Sequence, residues 1–499
     1  MQRDLLVRWA LTFLILLISF GGLIYGFTLL FFITTTPGEK LLSALFIFLL
    51  TINTIFNIVG CYYYIRSYGL DKFVPRKIKG RLPRVVVVVP CRNEDEEMVK
   101  ENLASLKSLN YPSDRISFHL IDNSDKPSKE LEQFCNRIGF NYIFMENPIR
   151  LKSYVLNKFL KGRKEEVIAI FDADERLTDP NFLLETLPYL EKDVGFVQTL
   201  KEFEPGSFFA NAVNVYYLFF YKFMQPVRSL TKSTMFCGSC GLVRRSVWKK
   251  VGGFPDSPTE DLAFAFKADM MGMGGVFVPK RYALGKAIES FSTFLAQQWR
   301  YTIGNSWIIG DYLRNFRRLD FERNLHYLSQ TFGYVYLSYL FVFYTFMTLA
   351  FVFYDISLRS LYSQVILPEY AKIMAITYIF AIIFLVVLGA KLYFGSFRSG
   401  LLAFFLNFAA AIVRVRALVV GILRLPTRFV MTAEQRGRRM NLIDALKSTK
   451  YETGLALILL IVAFVSFLRS DVISMFWLTW YSWLFSCAFL FMHATDVKG

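Results

Sequence analysis

The sequence has none of the glycine-rich loops that bind phosphate groups in many nucleotide-binding proteins. Neither G-x-G-x-x-G nor G-x-x-x-x-G-K-[ST] occurs in its 499 residues. A nucleotide bound by this chain would need its phosphate charge held in another way, and a divalent cation is one such means.

Histidine and cysteine are also scarce, with 3 and 6 residues. Cys237 and Cys240 form a C-x-x-C pair, but no second pair or histidine cluster completes a zinc site. The scattered cysteines do not suggest a disulfide framework. We expect them to be ordinary packing residues.

Acidic residues are outnumbered, with 40 Asp and Glu against 57 Lys and Arg, and the net charge is +17. Hydrophobic residues make up 54% of the chain and the mean hydropathy is +0.37. Long apolar runs of this kind indicate membrane spans, and the basic excess would then face anionic lipid headgroups. It would also attract an anionic substrate such as a nucleotide. We predict contacts with membrane lipids and no binding of nucleic acid, because nucleic-acid modules rarely come with spans.

Six apolar runs are candidates for crossing a bilayer, whose core of about 30 Å needs roughly 20 helical residues. The charged segment between the second and third runs forms a separate middle domain. The six runs cover residues 9–33, 41–65, 326–354, 371–394, 455–468 and 472–492.

The apolar stretch 401–424 is ambiguous because Arg414 and Arg416 lie in its middle. Burying an arginine in hydrocarbon is costly. We predict a helix in the membrane interface with both arginines at headgroup level, and a seventh span is the alternative.

Lysine and arginine set the expected orientation. The loops 34–40, 355–370 and 469–471 are poor in them, whereas 424–450 has seven basic residues against two acids. We therefore predict a multi-pass protein of the cell membrane with both termini, the middle domain and the 424–450 loop in the cytoplasm.

The middle domain alternates strand and helix patterns, which predicts an α/β fold with a mostly parallel, Rossmann-like sheet. The run RVVVVVP (84–90) is typical of a strand buried on both faces. Polar clusters follow three of the strands, as CRNEDE, DNSD and DADE. Such sheets bind ligands at the carboxyl ends of their strands.

Asp172 and Asp174 of DADE alternate along an extended chain, so both side chains can share one cation with phosphate oxygens. A lone D-x-D is more often a turn or a helix cap. The same ambiguity applies to Asp261, since SPTED also suits the first turn of a helix.

These motifs together resemble the membrane-integrated family 2 glycosyltransferases, which include the cellulose, chitin and hyaluronan synthases. The resemblance covers about residues 40–495. Asn123 departs from the usual second aspartate and Tyr301 from the usual tryptophan. The matching segments are VVVVVPCRNEDE, IDNSD, KSYVLN, FDAD, FVQT, FCGSCGLVRRSVWKKVGGF, TED, QQWRY and, loosely, RFVMT at 428–432.

The resemblance implies a GT-A glycosyltransferase domain inserted in a transmembrane bundle of about six spans plus interfacial helices, with Mg²⁺ or Mn²⁺ as cofactor. The implied units are an N-terminal transmembrane hairpin (1–66), the cytoplasmic GT-A domain (67–290), interfacial helices with the QxxRW-like motif (291–325), a transmembrane hairpin (326–396), an interfacial helix with a gating-type loop (397–450) and a C-terminal transmembrane hairpin (451–499).

The resemblance also implies roles for individual residues. Asp261 would be the catalytic base, with Glu260 and Thr259 beside it, and Asp172 and Asp174 would bind the metal. Nucleotide and donor binding would involve Pro90, Arg92, Glu94, Asp122, Lys152 and Asp172. Acceptor and diphosphate binding would involve Gly238, Ser239, Gln297, Gln298, Trp299, Arg300 and Tyr301. Trp299 and Arg300 could instead be interfacial anchors.

Three functions are compatible with these residues. The first is inverting transfer from a nucleotide sugar, UDP-linked in our prediction, to a growing β-linked polysaccharide, with export of the polymer through the spans. The second is single addition to a lipid or lipid-linked glycan, which Tyr301 leaves open. The third, a transporter or scaffold with an inactive nucleotide-binding domain, is disfavoured because all four key residues are present: Asp172, Asp174, Asp261 and Arg300.

Overall fold

The computed structural model describes residues 2–28, 30–31, 36–78, 80–146, 151–353, 391, 395–425 and 440–497. The predicted gating-type loop RFVMT lies outside the described residues, and so does the predicted span 371–394 apart from Lys391.

The middle domain is built on an eight-stranded mixed sheet with the order β3-β2-β1-β4-β7-β6-β8-β5. Strands β1 to β4 pair in parallel, as do β6 and β8, while β7 and β5 pair antiparallel with their neighbours. The strands are β1 (Val85–Cys91), β2 (Ile116–Asp122), β3 (Asn141–Phe144), β4 (Val167–Ile170), β5 (Glu175–Leu177), β6 (Phe196–Phe203), β7 (Gly241–Arg244) and β8 (Gly275–Gly285).

The helices flank this sheet and form a bundle from the two ends of the chain. A π-helical turn, Phe219–Met224, joins α7 to α8. The helices are α1 (Gln2–Thr28), α2 (Pro37–Arg66), α3 (Glu96–Leu106), α4 (Lys129–Ile138), α5 (Lys152–Lys161), α6 (Phe182–Thr186), α7 (Phe208–Leu218), α8 (Gln225–Leu230), α9 (Arg245–Val251), α10 (Glu260–Met270), α11 (Phe291–Asn315), α12 (Phe321–Phe353), α13 (Phe397–Ala409), α14 (Ala411–Ile422), α15 (Leu442–Ser448), α16 (Lys450–Leu468) and α17 (Val472–Asp496).

Strand β1 is buried on both faces, as its unbroken valine run predicts. Val85, Val87 and Val89 pack in one core with α3 and α4, and Val86 and Val88 pack in another with α5, α9 and α10. The two-residue period of a strand produces this division. The predicted α/β class is confirmed, and the sheet is parallel around β1 but mixed beyond β4.

Two strands were missed by the sequence analysis. Strand β5 has only three residues and begins at the last residue of DADE, and β7 lies in the glycine-rich segment after residue 236. Neither shows a hydrophobic pattern of its own, because both depend on pairing with strands that are distant in sequence.

Four helices, α1, α2, α16 and α17, are long and apolar enough to cross a membrane. Two bent pairs raise the number to six if each is one span: α12, bent by 47°, and α13 with α14, bent by 44°. The helices fall on the apolar runs of the sequence, and the chain is a membrane protein.

The prediction for Arg414 is wrong. The stretch 401–424 breaks at Ala410, and Arg414 is only 1% exposed. Its guanidinium donates to Tyr216 Oη at 2.6 Å, Asn407 Oδ1 at 2.7 Å and Gln298 Oε1 at 3.1 Å. These polar partners let the charge lie inside the protein, so headgroup contact is unnecessary. Arg416, in contrast, is exposed.

Candidate active site

A cavity of about 940 Å³ extends from the carboxyl ends of β1 and β4 to the helical bundle. One wall comes from the sheet edge, another from α10 and α11, and the far end from α1, α2, α12, α13 and α14. Of the predicted site residues, the cavity is lined by Pro90, Arg92, Glu94, Lys152, Asp172, Asp174, Gly238, Thr259, Glu260, Asp261, Gln297, Arg300 and Tyr301.

Asp172 lies just after the end of β4 and forms ion pairs with two lysines. Lys152 Nζ at the start of α5 donates to Asp172 Oδ1 at 2.5 Å and to the Gly238 carbonyl at 3.0 Å. Lys201 Nζ on β6 lies 3.5 Å from Asp172 Oδ2. Burial alone would raise the pKa of Asp172, but the two ammonium groups lower it below its usual value, so the carboxyl stays ionised.

Glu175 also lines the cavity and holds Lys201 in place. Lys201 Nζ lies 2.9 Å from Glu175 Oε1, which also accepts a hydrogen bond of 2.8 Å from the Ser239 hydroxyl. Glu175 Oε2 accepts the Asp172 backbone N–H at 3.1 Å. Glu175 is 3% exposed and Ser239 is fully buried, so this network is protected from bulk water.

The FVQT motif on β6 holds the loop 237–240, which precedes β7. Gln198 donates to the Ser239 carbonyl at 3.1 Å and accepts the Cys237 N–H at 2.7 Å. The Thr199 hydroxyl donates to the Cys240 carbonyl at 2.7 Å. The motif therefore acts through the 237–240 loop, whose Gly238 carbonyl in turn positions Lys152. All six cysteines are free thiols, and five of them are buried.

The TED motif forms the start of α10, with Thr259 at the N-cap and both acids in the first turn. Asp261 Oδ1 accepts the Leu262 N–H at 2.8 Å. Gly238 has φ +79°, and a Cβ there would lie 3.1 Å from Asp261 Oδ2, so the glycine leaves the carboxylate open to the cavity. A helix start and a cavity-facing acid are thus combined in one segment.

The pKa values of the two acids at the start of α10 are raised, whereas the pKa of Asp172 is lowered. Burial raises the pKa of Glu260 to about 7, and the nearby charge of Asp261 adds to the shift. Burial also raises the pKa of Asp261, while the Leu262 amide and the charge of Arg300 oppose the rise. A carboxylate with a raised pKa is a stronger base than an ordinary aspartate.

Helix α11 brings Arg300 to this point by packing tightly on the TED motif. A Cβ on Gly304 would overlap the Thr259 side chain, so that side chain packs directly on the backbone of α11, which only a glycine at 304 allows. Arg300, one turn earlier on α11, lines the cavity with Tyr301.

The loop after β1 is fixed by its contacts with the loop after β2. Arg92 donates to the Asn123 carbonyl at 2.9 Å and to Asp125 Oδ1 at 3.1 Å. Asn93 adopts φ +53° and its side chain contacts Asp125. Between these loops lies a second cavity of about 290 Å³.

Asp122 is fully buried beneath this loop pair. Its carboxylate accepts the Ser124 N–H at 2.9 Å and the Tyr142 hydroxyl at 2.6 Å. The residue of this loop that lines the main cavity is Asn123. Contact between Asp122 and the nucleotide stays a prediction, and the structure shows the side chain supporting the loop.

Three residues predicted for acceptor or diphosphate contact lie behind the cavity wall. Ser239 is buried against Glu175, and Gln298 is buried between Tyr216, Tyr217 and Arg414. The Trp299 ring faces the Arg416 guanidinium, 5.9 Å away, on the other side of α11. For these three residues, the spacing within a motif did not show whether the side chain points into the cavity or away from it.

The middle domain is similar in sequence to a known protein family. Residues 83–302 match the family described as glycosyltransferase like family 2. The chain carries a family 2 glycosyltransferase domain. The matched range includes β1 to β8, the TED motif and the first half of α11.

The curated relatives of this glycosyltransferase domain are larger proteins. The cellulose synthase catalytic subunit of Pseudomonas fluorescens is 32% identical over 231 residues, which cover 44% of this chain and 31% of that protein. A probable glucomannan 4-beta-mannosyltransferase of Oryza sativa is 29% identical over 238 residues, 44% of this chain and 45% of that protein. The chain therefore spans less than half of the length of these relatives.

A solved structure shares the fold of the middle domain. The mannosyltransferase PcManGT from Pyrobaculum calidifontis, in complex with GDP-Man and Mn²⁺, aligns with a TM-score of 0.51 and 17% identity. The alignment covers 76% of this chain and 99% of that one. The likeness supports a GT-A fold for the middle domain.

Asp172 and Asp174 fit a hard divalent cation in chemical type, since both are carboxylates that line one cavity. Among the described residues, no group of three or more His, Cys, Asp or Glu side chains is arranged to hold a metal. Two protein carboxylates with oxygen ligands from a bound diphosphate would satisfy such an ion.

Sequence reasoning missed Lys201, Glu175 and the tyrosines at the bundle end of the cavity. Lys201 follows FVQT by two residues and Glu175 follows DAD directly, so both belong to extended versions of the quoted motifs. Tyr217 and Tyr334 carry no such signal, because α7 and α12 bring them together from distant segments.

We expect Gly304→Ala to reduce the rate of sugar transfer about tenfold or more, because the added methyl displaces the TED motif from Arg300. Gly310→Ala is the matched control on the same helix, where a Cβ would make an ordinary contact of 3.5 Å with Arg314. Release of nucleoside diphosphate from a nucleotide sugar measures the rate. Equal rates in the two variants would show that the close approach is unimportant.

Proposed function

We propose that this protein transfers a sugar, with inversion, from a nucleotide sugar to the end of a growing β-linked polysaccharide. The observation that carries the proposal is the continuity of the cavity, which joins Asp172 and Asp261 to the helical bundle. Similarity to a protein named as a cellulose synthase catalytic subunit and to one named as a probable glucomannan 4-beta-mannosyltransferase supports a polymer product. The donor sugar is left open, because those names differ in the sugar transferred.

Asp261 is the general base in this proposal. The acceptor hydroxyl is a poor nucleophile at neutral pH, so a carboxylate must take its proton while it attacks the anomeric carbon. Asp261 lines the cavity, its pKa is raised by burial, and Gly238 leaves space in front of it. The C–O bond to the diphosphate breaks as the new glycosidic bond forms.

Charge on the leaving diphosphate is stabilised from two sides. Lys152 and Arg300 both line the cavity and offer N–H donors to phosphate oxygens. Asp172 and Asp174 would hold Mg²⁺ or Mn²⁺, which as a Lewis acid neutralises diphosphate charge when bound.

The acceptor would lie along the aromatic part of the cavity. Tyr301 and Tyr334 line it with ring centroids 6.4 Å apart, and Tyr216 and Tyr217 lie further along. Aromatic faces pack against the C–H faces of sugar rings, and tyrosine hydroxyls add hydrogen-bond donors. A polymer held here would be directed toward the bundle, where we propose that it is exported, with the catalytic domain and both termini cytoplasmic.

Single addition to a lipid or lipid-linked acceptor is the second candidate. Leu11, Ile15 and Phe56 line the same cavity from α1 and α2, and such apolar walls suit an acyl or prenyl chain. Tyr301 also offers less stacking area than tryptophan.

Product size separates the two candidates. Membranes containing the protein would be incubated with a panel of labelled nucleotide sugars, and the products separated by size. We expect a ladder or high polymer from one donor. A single glycolipid species would favour the second candidate, and no turnover of any donor would favour a transporter or scaffold.

We expect Asp261→Asn to abolish transfer while nucleotide binding stays close to the wild-type level, because the amide cannot accept the acceptor proton. Asp193→Asn, an exposed acid paired with Lys232, is the control for an acid-to-amide change. Transfer rate and nucleoside diphosphate affinity are both measured. Near-normal transfer by the Asp261 variant would exclude it as the base.

Removal of divalent cations with EDTA should stop transfer, and added Mg²⁺ or Mn²⁺ should restore it. Without the cation, the two carboxylates at 172 and 174 would repel the donor diphosphate. The measurement is product formation before and after dialysis, with the protein's fold checked by circular dichroism. Full activity after thorough chelation would contradict a metal role for Asp172 and Asp174.

A further inference from the structure

Lys201 lies in the cavity wall beside the acids expected to bind metal. Its ammonium is 2.9 Å from Glu175 Oε1 and 3.5 Å from Asp172 Oδ2, and it donates to the Ser239 hydroxyl. The side chain is 12% exposed and lines the cavity. A lysine so enclosed needs its charge compensated by neighbours, and it is well placed to meet a ligand.

The contacts of the Lys201 ammonium differ in distance and in how far each partner is buried. Glu175 and Ser239 are buried and hold each other at 2.8 Å, so they fix the ammonium from one side. Asp172 is more exposed, at 33%, and is shared with Lys152. An ammonium has three N–H donors, and the one directed at Asp172 makes the longest of these contacts. Asp172 lines the cavity too, so this long contact is the one that an anion entering the cavity could replace.

We propose that Lys201 is a diphosphate-binding residue of the donor site and that, without donor, it is the counter-ion of Asp172. The inference rests on the proposed function. When a nucleoside diphosphate enters, Lys201 exchanges the Asp172 carboxylate for a phosphate oxygen while Glu175 and Ser239 keep it in place. The exchange frees Asp172 Oδ2 for a divalent cation, while Oδ1 keeps its contact with Lys152, so donor and cation binding become linked through Lys201.

Lys201→Met tests the proposal in the full chain, in detergent or nanodiscs. We expect affinity for a nucleoside diphosphate, from a panel of UDP, GDP, ADP and dTDP in Mg²⁺, to fall about tenfold to a hundredfold, as for loss of a charge-assisted hydrogen bond. Affinity for Mn²⁺ alone, measured by electron paramagnetic resonance of free Mn²⁺, should instead rise about threefold or more, because an adjacent positive charge is removed.

Lys280→Met is the matched control. Lys280 also bridges two carboxylates, Asp179 at 2.8 Å and Glu185 at 2.5 Å, but it lies outside the cavity. Its loss should leave both affinities unchanged. The double variant Lys201→Met/Glu175→Gln removes the ion pair together, so that no unpaired buried carboxylate remains. It should show the same loss of diphosphate binding as the single variant.

The outcomes separate the possible roles of Lys201. Opposite shifts in the two affinities of the single variant, together with the same loss of diphosphate binding in the double variant, support the proposal. Diphosphate binding within about threefold of wild type would overturn it, and so would parallel loss of both affinities or recovery in the double variant, which indicate a structural role. If wild type binds none of the nucleoside diphosphates, the proposed function itself fails.

Discussion

Helix α11 is the element on which the site depends, because it belongs to both the bundle and the catalytic wall. Gly304 lets it lie against Thr259, and Arg300 reaches the cavity from the preceding turn. The start of the helix is held by Asp496 of α17, which accepts the Phe291 N–H at 3.0 Å. A movement of the bundle would therefore be transmitted to the acids of the TED motif.

The site also depends on a balance of buried charge. Lys152 and Lys201 keep Asp172 ionised, whereas Glu260 and Asp261 lie in surroundings that raise their pKa. The same cavity thus contains one carboxylate with a lowered pKa, suited to cations, and two with raised pKa values, which are better suited to accept a proton. The distinction arises from neighbours rather than from residue type, since all of these groups are carboxylates.

Much of the fold was predictable because its signals are local. The valine run of β1 and the apolar helices could be read directly, and the order of motifs identified the family. Side-chain direction could not be read in the same way. Gln298 and Trp299 directly precede Arg300 on α11, yet the Gln298 side chain is buried against α7 and α14, and the Trp299 ring faces Arg416. Their placement depends on helices far away in sequence.

The most direct test of the account is a structure of the full chain with a bound nucleoside diphosphate and Mn²⁺. The account predicts the diphosphate in the main cavity between Asp172 and Arg300, with Asp261 facing the free end toward the bundle. A diphosphate bound elsewhere, or an Arg300 side chain turned away from it into the membrane, would contradict the central claim that sheet and bundle build one site.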